Sequence, residues 1–269
     1  MGLRFNMKSG NFSHVFSSTL RKRSEHIEWD FGSNRNGTSF YIDGDFWRGI
    51  AEKNDGKRKM LWGLESRFFN GSFHLHIKDN LGEILEVFDT IFTYDHELIG
   101  LHPKFKWVPA MGTWIDSPSE RKKDKLVSMI SSNKSFTPQH IFRLNYARQH
   151  SDKMDIFGGS GVYLEKKEHG LDPYMFSVAM ENDTCDIYFT EKILDCFATC
   201  TVPIYKGTQR ISEFFNSEGI IFIEDDKFPE ISHDVYFSKL NAVQENLELV
   251  KKFNTIEDWM YHNYRDILN

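Results

Sequence analysis

Residues 174–207 read YMFSVAMENDTCDIYFTEKILDCFATCTVPIYKG. An apolar run, Phe176 to Met180, stops at the polar pair Glu181-Asn182. A helical pattern then places Ile193, Leu194, Phe197 and Ala198 on one face, and a second apolar run, TVPIYKG, closes on a glycine. Strand, helix and strand in close succession form the unit from which α/β proteins with parallel sheets are assembled.

The alternation extends in both directions. The first half offers strands at LRFNM, HIEW, SFYID, KRKMLWGLE and DTIFTYD, and the second half at KLVSMISS, KMDIFGG, YMFSVAMEN, TVPIYKG and GIIFIED. Helices fit around 138–150, 190–200, 210–216 and 238–253, and the aromatic-rich TIEDWMYHNYRDIL ends the chain. Between the halves, PAMGTWIDSPSERKKDK (residues 109–125) carries Pro109, Gly112, Pro118 and a charge run, the composition of a linker between two α/β units. Two such units facing each other leave a cleft at the carboxyl ends of their strands, where open α/β sheets bind ligands.

A chain of 269 residues that is 40% hydrophobic supports one large domain or two small ones. Its net charge of −6 excludes a broad phosphate-backbone footprint, so no nucleic-acid partner is expected. The basic clusters Arg21-Lys22-Arg23, Lys57-Arg58-Lys59 and Arg121-Lys122-Lys123 read as solvated turns. No apolar run reaches the length of a membrane span, and MGLRFNMKSGNFSHVF lacks the order of a signal peptide, so the expected location is cytoplasmic. Cys185, Cys196 and Cys200 form no C-x-x-C pair and read as small core residues of a reducing compartment. The triplets Asn36-Gly37-Thr38 and Asn70-Gly71-Ser72 then read as chance matches to the glycosylation pattern.

One local feature runs against helix physics. Thr190 is a good N-cap and Glu191 suits the positive helix end, but Lys192 in the same turn does not. An exposed cation there costs about 0.3–1 kcal/mol, which an anion at the helix end would reverse through charge-assisted hydrogen bonds. The alternative is a lysine that turns to solvent or pairs with Glu191 or Asp195.

The ordered string F-S-V-A-M-E-N-x5-Y-x-T-E-K, followed by a helix, V-P-I and a glycine turn, resembles the donor-binding signature of the α-1,3-fucosyltransferase family, glycosyltransferase family ten. The resemblance implies two Rossmann-like domains facing a cleft, the GT-B arrangement. It implies an N-terminal acceptor and catalytic-base domain over 1–110, a nucleotide-sugar domain over 122–250, and a C-terminal helix, 251–269, packed back on the first domain. Lys192 would bind the donor pyrophosphate, Glu191 hydroxyls of the nucleotide sugar, and Asn182 and Tyr188 would line the pocket with Glu181 and Thr190. Upstream, KLVSMISSNKSFTPQHIFRLNYARQHSDKMDIFGG resembles the family's first nucleotide-domain segment, which places Ser132 and Asn133 at a strand end and makes Arg143 the diphosphate clamp. Arg148, one turn on, could be mistaken for it, and an ordinary surface arginine is the plainer reading.

KRKMLWGLESRFFN resembles the family strand that ends in the proposed catalytic base, here Glu65. The plainer reading is a surface glutamate paired with Arg67, which stands where relatives often have proline. The ending CTVPIYKGTQ also departs from the family's small-residue and G-P pattern. The implied activity is inverting transfer of fucose from GDP-fucose to a glycan hydroxyl, with no cofactor and no obligatory metal, since two cations and a helix end offset the leaving diphosphate's charge.

Two other readings compete. Asp43-Gly44-Asp45 has the D-x-D form of metal-dependent nucleotide-sugar transferases, or is an Asp-Gly turn. The chain could also be a non-catalytic nucleotide-sugar or glycan-binding module. His74 and His76 in FHLHI would share one side of a strand and could ligate a metal. The Gly158-Gly159-Ser160-Gly161 run would either approach the nucleotide or form a flexible turn.

Overall fold

The computed structural model describes residues 2–9, 16–32, 37–67, 71–183 and 185–269. The leader reading over 10–15 and the triplets at Asn36 and Asn70 lie outside the described residues. Among the described residues no helix is long and apolar enough to cross a membrane.

The chain forms two compact units: Met1–Gly112 with Cys185–Tyr188 and Phe253–Asn269, and Thr113–Thr184 with Phe189–Lys252. Unit 1 runs through β1 (Leu3–Met7), β2 (Ile27–Asp30), β3 (Ser39–Ile42), α1 (Phe46–Ala51), β4 (Lys59–Gly63), α2 (Gly71–Asp79), α3 (Leu81–Val87), β5 (Thr90–Thr93), α4 (His96–Ile99) and β6 (Phe105–Trp107). Unit 2 follows with β7 (Lys125–Ile130), α5 (Pro138–Gln149), β8 (Asp155–Phe157), β9 (Tyr174–Met180), α6 (Glu191–Ala198), β10 (Val202–Lys206), β11 (Ile221–Phe222) and α7 (His233–Val250). The closing helix, α8 (Ile256–Leu268), belongs to unit 1.

Both sheets are parallel, with orders β2-β1-β3-β4-β5-β6 and β11-β10-β9-β7-β8. Counted within its own unit, each sheet has the doubly wound order in which the second strand lies outside the first. The direction of growth therefore reverses between β1 and β3 in unit 1, and between β7 and β9 in unit 2. At such a reversal the loops leaving adjacent strands diverge and open a crevice beyond their carboxyl ends.

Side chains alternate between two covered faces. Phe40, Trp62 and Phe92 face α8 through Ile256, Met260 and Leu268, whereas Tyr41, Leu61 and Ile91 face α1–α4 through Phe46, Phe73, Ile77, Ile84 and Leu98. Two buried acids in the first turn of α8 bind the chain around β2. Glu257, wholly buried, accepts from the Ser18 N–H at 2.6 Å, the Ser18 hydroxyl at 2.9 Å and the Trp29 indole at 3.0 Å. Asp258 accepts from the Ser24 hydroxyl and from the N–H groups of Glu25 and His26.

Several expectations are corrected. FHLHI is helical: Phe73 and Ile77 are buried four residues apart on α2 while Leu75 is exposed, so their alternation is an i, i+4 pair seen at half its spacing. His74 and His76 therefore do not share a side. His76 packs on Trp47, and His74 meets Asp95. The stretch 210–216 is a 3-10 turn over Gln209–Glu213, and α7 begins at His233, capped by Ser232.

The basic clusters are not uniformly solvated. Lys22 and Lys59 are buried, on Asn254 and Asp55, and Lys123 donates to the carbonyls of Leu171 and Asp172, where burial pushes its pKa down to about 8. The glycine run 158–161 is a tight turn against the end of β7. Gly158 has φ +86°, and a Cβ on Gly161 would stand 2.1 Å from the Ile156 carbonyl oxygen.

Replacing Glu257 by Ala leaves three buried donors without an acceptor and should cost about 3 kcal/mol or more, with Glu257→Gln costing less. Urea unfolding monitored by tryptophan fluorescence checks this; equal stability of Glu257→Ala and wild type would refute it.

Candidate donor site and candidate base

The reversal in unit 2 gathers most of the residues singled out by sequence. β7 runs out into Ser131, Ser132 and Asn133, and β9, buried along its whole length, runs out into Glu181 and Asn182. Arg143 spans the two exits. One terminal nitrogen donates to Ser132 Oγ at 2.9 Å and the other to Asn182 Oδ1 at 3.1 Å. The stripe His140, Arg143, Tyr146 and Ala147 is the buried face of α5, so the arginine reaches the crevice because the helix packs that face inward. Arg148 is exposed, which separates the two candidates.

Burial pulls the Arg143 guanidinium below its ordinary value, and Glu181 and Glu191 only partly restore it. Its Nε is buried and has no hydrogen-bond partner among the described residues. A desolvated cation held by two neutral acceptors, with N–H groups to spare, suits an anion. Asn133 is exposed, beside the backbone of Gly159.

The other wall is the start of α6. The Glu181 carboxylate takes the Thr190 N–H at 2.9 Å and its hydroxyl at 2.7 Å, fastening the helix cap to the end of β9. Thr190 Oγ1 in turn accepts the Lys192 N–H, as an N-cap does. The Lys192 ammonium neither snorkels nor reaches Asp195. It folds back to donate to Thr190 Oγ1 at 2.8 Å and lies 3.4 Å from both Glu181 Oε2 and Glu191 Oε1. Asp195 is held instead by Lys167 at 2.5 Å and by Thr113 and the Trp114 N–H, a partner that sequence spacing could not reveal. Burial raises the Glu181 carboxyl above its ordinary value. Burial acts on Glu191 as well, but Lys192 and Lys167 outweigh it and hold that carboxyl below.

Tyr188 is not part of this cluster. It belongs to unit 1, buried against Tyr94 with Cys185 and Ala110. Cys196 and Cys200 are buried, their thiols pushed up by burial to about 12 and about 11, as inert core residues are.

In unit 1, Glu65 lies two residues beyond β4 and its backbone is pinned from both sides. Asp43 Oδ1 accepts from Leu64 N–H at 2.8 Å and Glu65 N–H at 3.3 Å, and the Tyr94 hydroxyl donates to the Glu65 carbonyl at 2.9 Å. The side chain is exposed beside a shallow depression lined by Phe73, Tyr94 and Leu98. Arg67 does not pair with it. That guanidinium grips Asp95 through two nitrogens and Glu97 through a third, while His74 Nδ1 meets Asp95 Oδ2 at 2.6 Å. Among the described residues the Glu65 carboxylate has no hydrogen-bond or ion-pair partner, so its charge is available.

Two metal readings meet this geometry. Asp43 of the D-x-D triplet holds the backbone that carries Glu65, at φ 49° in a 3-10 turn. Among the described residues, Asp95, His96 and Cys185 bring ligand atoms within 4.8 Å of one another. Both Asp95 oxygens, however, already serve Arg67, His74 and the first amides of α4.

The sequence model of glycosyltransferase family 10 (fucosyltransferase), C-terminal part, matches residues 120–264. The α-(1,3)-fucosyltransferase FucT of Helicobacter pylori is 27% identical over 124 residues, covering 44% of this chain and 25% of FucT. The match thus spans about a quarter of that relative's length. A crystal structure of an α1,3-fucosyltransferase is similar with TM-score 0.55 at 14% identity, covering 99% of this chain and 90% of that one. One of an α1,3-fucosyltransferase with GDP-fucose gives TM-score 0.54 at 15% identity, covering 100% and 90%. At these identities the structural likeness establishes the fold, two parallel α/β units of GT-B type.

Removing Arg67 leaves the Asp95 carboxylate buried with one cation fewer, at an expected cost of about 3–5 kcal/mol. Burial alone would raise the Asp95 carboxyl, but Arg67 and His74 override it and hold it below its ordinary value. The stability so gained is complete above the ordinary carboxylate range and disappears as pH falls through the lower folded value. The gap in urea midpoint between wild type and Arg67→Ala should therefore narrow as pH drops below about 4; a constant gap would refute the assignment.

Proposed function

Because this chain belongs to glycosyltransferase family 10, the fucosyltransferases, we propose that it transfers fucose from GDP-fucose to a glycan hydroxyl with inversion at the anomeric carbon and without an obligatory metal. The observation that carries the reading is Arg143, a buried, incompletely satisfied guanidinium set at the strand-order reversal of unit 2 between Ser132 and Asn182. Open α/β sheets bind ligands at that place, and a planar fork matches two phosphoryl oxygens.

In this reading Arg143 and Lys192 hold the diphosphate and the first amides of α6 add their dipole. Glu191 takes hydroxyls of the nucleotide sugar, which frees Lys192 from one of its two carboxylates. Glu181 and Thr190 keep the helix start in place, and Ser132, Asn133 and Asn182 complete the pocket. Glu65 accepts the proton of the acceptor hydroxyl as its oxygen bonds to the anomeric carbon and the bond to the diphosphate breaks, with the electron pair leaving on GDP. Negative charge grows on the departing phosphate, where the two cations are worth more than in the ground state. Supporting the metal-free form, Asp43 is spent on the backbone of Leu64 and Glu65 rather than offered as part of a D-x-D pair.

A thermal-shift panel tests the donor: GDP and GDP-fucose should raise Tm while UDP and dTDP do not. A flat response to guanine nucleotides removes the reading. Arg143→Ala and Lys192→Ala should each weaken GDP binding by about 10–100-fold, the loss of one charge-assisted contact. Glu65→Gln should bind GDP as wild type does yet lose transfer by about 10²–10⁴-fold. Wild-type binding without turnover across broad acceptor screens would indicate a non-catalytic binding module. Abolition of transfer by EDTA and its restoration by magnesium or manganese would return the D-x-D alternative.

A further inference from the structure

We propose that Lys167 is a positioning residue of the donor site: fixed by Asp195 beside Glu191, it is the counter-charge that stays with that carboxylate when Lys192 turns to the diphosphate. This rests on the donor reading above and adds to the site a residue outside the motif, in a 3-10 turn (Lys167–Gly170) that leads into β9.

Every group in this arrangement belongs to unit 2. Asp195 is wholly buried in the middle of α6, and its two oxygens have separate partners. Oδ1 accepts from the Thr113 hydroxyl and the Trp114 N–H, both at 2.7 Å, which fixes the carboxylate. Oδ2 takes the Lys167 ammonium at 2.5 Å, and the Trp114 ring covers that ammonium, its centroid 4.7 Å away. Glu191 lies four residues before Asp195, and both are buried residues of α6. Side chains at i and i+4 share a helix face, with Cβ atoms about 5–6 Å apart, so a cation seated on Asp195 stands next to Glu191. The electrostatics agree from both ends: Glu191 raises the proton affinity of the Lys167 amine, and Lys167 lowers that of the Glu191 carboxyl.

Glu191 is 9% exposed and has two cations beside it, Lys192 at 3.4 Å and Lys167. They differ in what holds them. Lys192 is shared among Glu181, Glu191 and Thr190 Oγ1, and it is the cation that the donor reading sends to the phosphates. Lys167 is clamped between a buried carboxylate and an indole face, and no step of donor binding displaces either. Once Lys192 leaves, burial alone would favour the protonated form of Glu191, which has less capacity to accept from hydroxyls. With Lys167 in place both oxygens remain acceptors, and an ionised acceptor makes hydrogen bonds about twice as strong as a neutral one. Lys192 thus serves the phosphates while Lys167 serves the acid.

Lys167→Gln alone leaves Asp195 buried without its cation, which would mix lost stability with lost affinity. The informative variant is the neutral pair Lys167→Gln/Asp195→Asn, in which the amide at position 195 can still accept from Thr113 and Trp114. Its net charge equals that of wild type, so long-range attraction for the anion is unchanged. Calorimetric titration of the full chain with GDP-fucose, beside a thermal melt of each protein, makes the measurement. The neutral pair should melt close to wild type yet bind GDP-fucose about tenfold more weakly, the effect of weakening one charge-assisted contact. In a Glu191→Gln background the same two changes should alter affinity by less than about twofold, because the carboxylate that Lys167 serves is gone. Lys167→Arg with Asp195 intact keeps the cation and should retain most of the affinity. Wild-type affinity in the neutral pair overturns the proposal, and so does an equal loss with and without Glu191, the mark of a purely structural ion pair. If GDP-fucose fails to bind wild type at all, the donor reading falls, and this proposal with it.

Discussion

A single guanidinium organises unit 2. Where the sheet reverses its direction of growth, β7 and β9 are hydrogen-bonded neighbours whose exit loops must part. The gap at the parting needs something long, polar and rigid to hold its sides. Arg143 fills it, with one nitrogen on Ser132 and another on Asn182. A buried cation between neutral acceptors is an expensive filler, since desolvation is not repaid by an ion pair. Glu181 and Glu191 offset only part of that cost, and the proposed binding of an anionic donor would offset the rest.

The beginning of α6 follows the same logic with the sign reversed. Glu181 is buried, yet its carboxylate is saturated by the cap it holds and by Lys192. The lysine that looks misplaced against the helix dipole is stable in the free protein because two acids and the cap oxygen compensate it. Glu191 has Lys192 on one side and feels Lys167 on the other. A group with two competing partners can exchange one for a ligand at small net cost, which is how a charged site stays both folded and receptive.

Sequence reading found the strands because each is a run of apolar residues with covered faces, and the motif residues because their spacing is conspicuous. It missed β6, three residues long, and α1 to α4, whose apolar residues are too few to show a period. FHLHI was misread because residues two apart include residues four apart, and only the exposure of Leu75 tells helix from strand. Nothing in the order of residues announced that Cys185–Tyr188 would leave unit 2 for unit 1 and take Tyr188 with it. The Lys167–Asp195 pair joins positions 28 residues apart, and Arg67 chose Asp95 over its neighbour Glu65, both outcomes of tertiary packing.

The two units treat their acids differently, and the difference bears on what each can do. In unit 1, Asp95 is bound by a guanidinium, an imidazole and two amides, a network with no acceptor capacity to spare. That saturation holds Arg67 away from Glu65, and Asp43 and Tyr94 fix the Glu65 backbone while leaving its carboxylate unengaged. A general base needs both properties, a fixed position and a free lone pair, and a base tied to its own arginine would have to break an ion pair before each proton transfer. The charged network beside Glu65 confines the local cation to Asp95 and leaves the exposed Glu65 carboxylate without an ion-pair partner among the described residues.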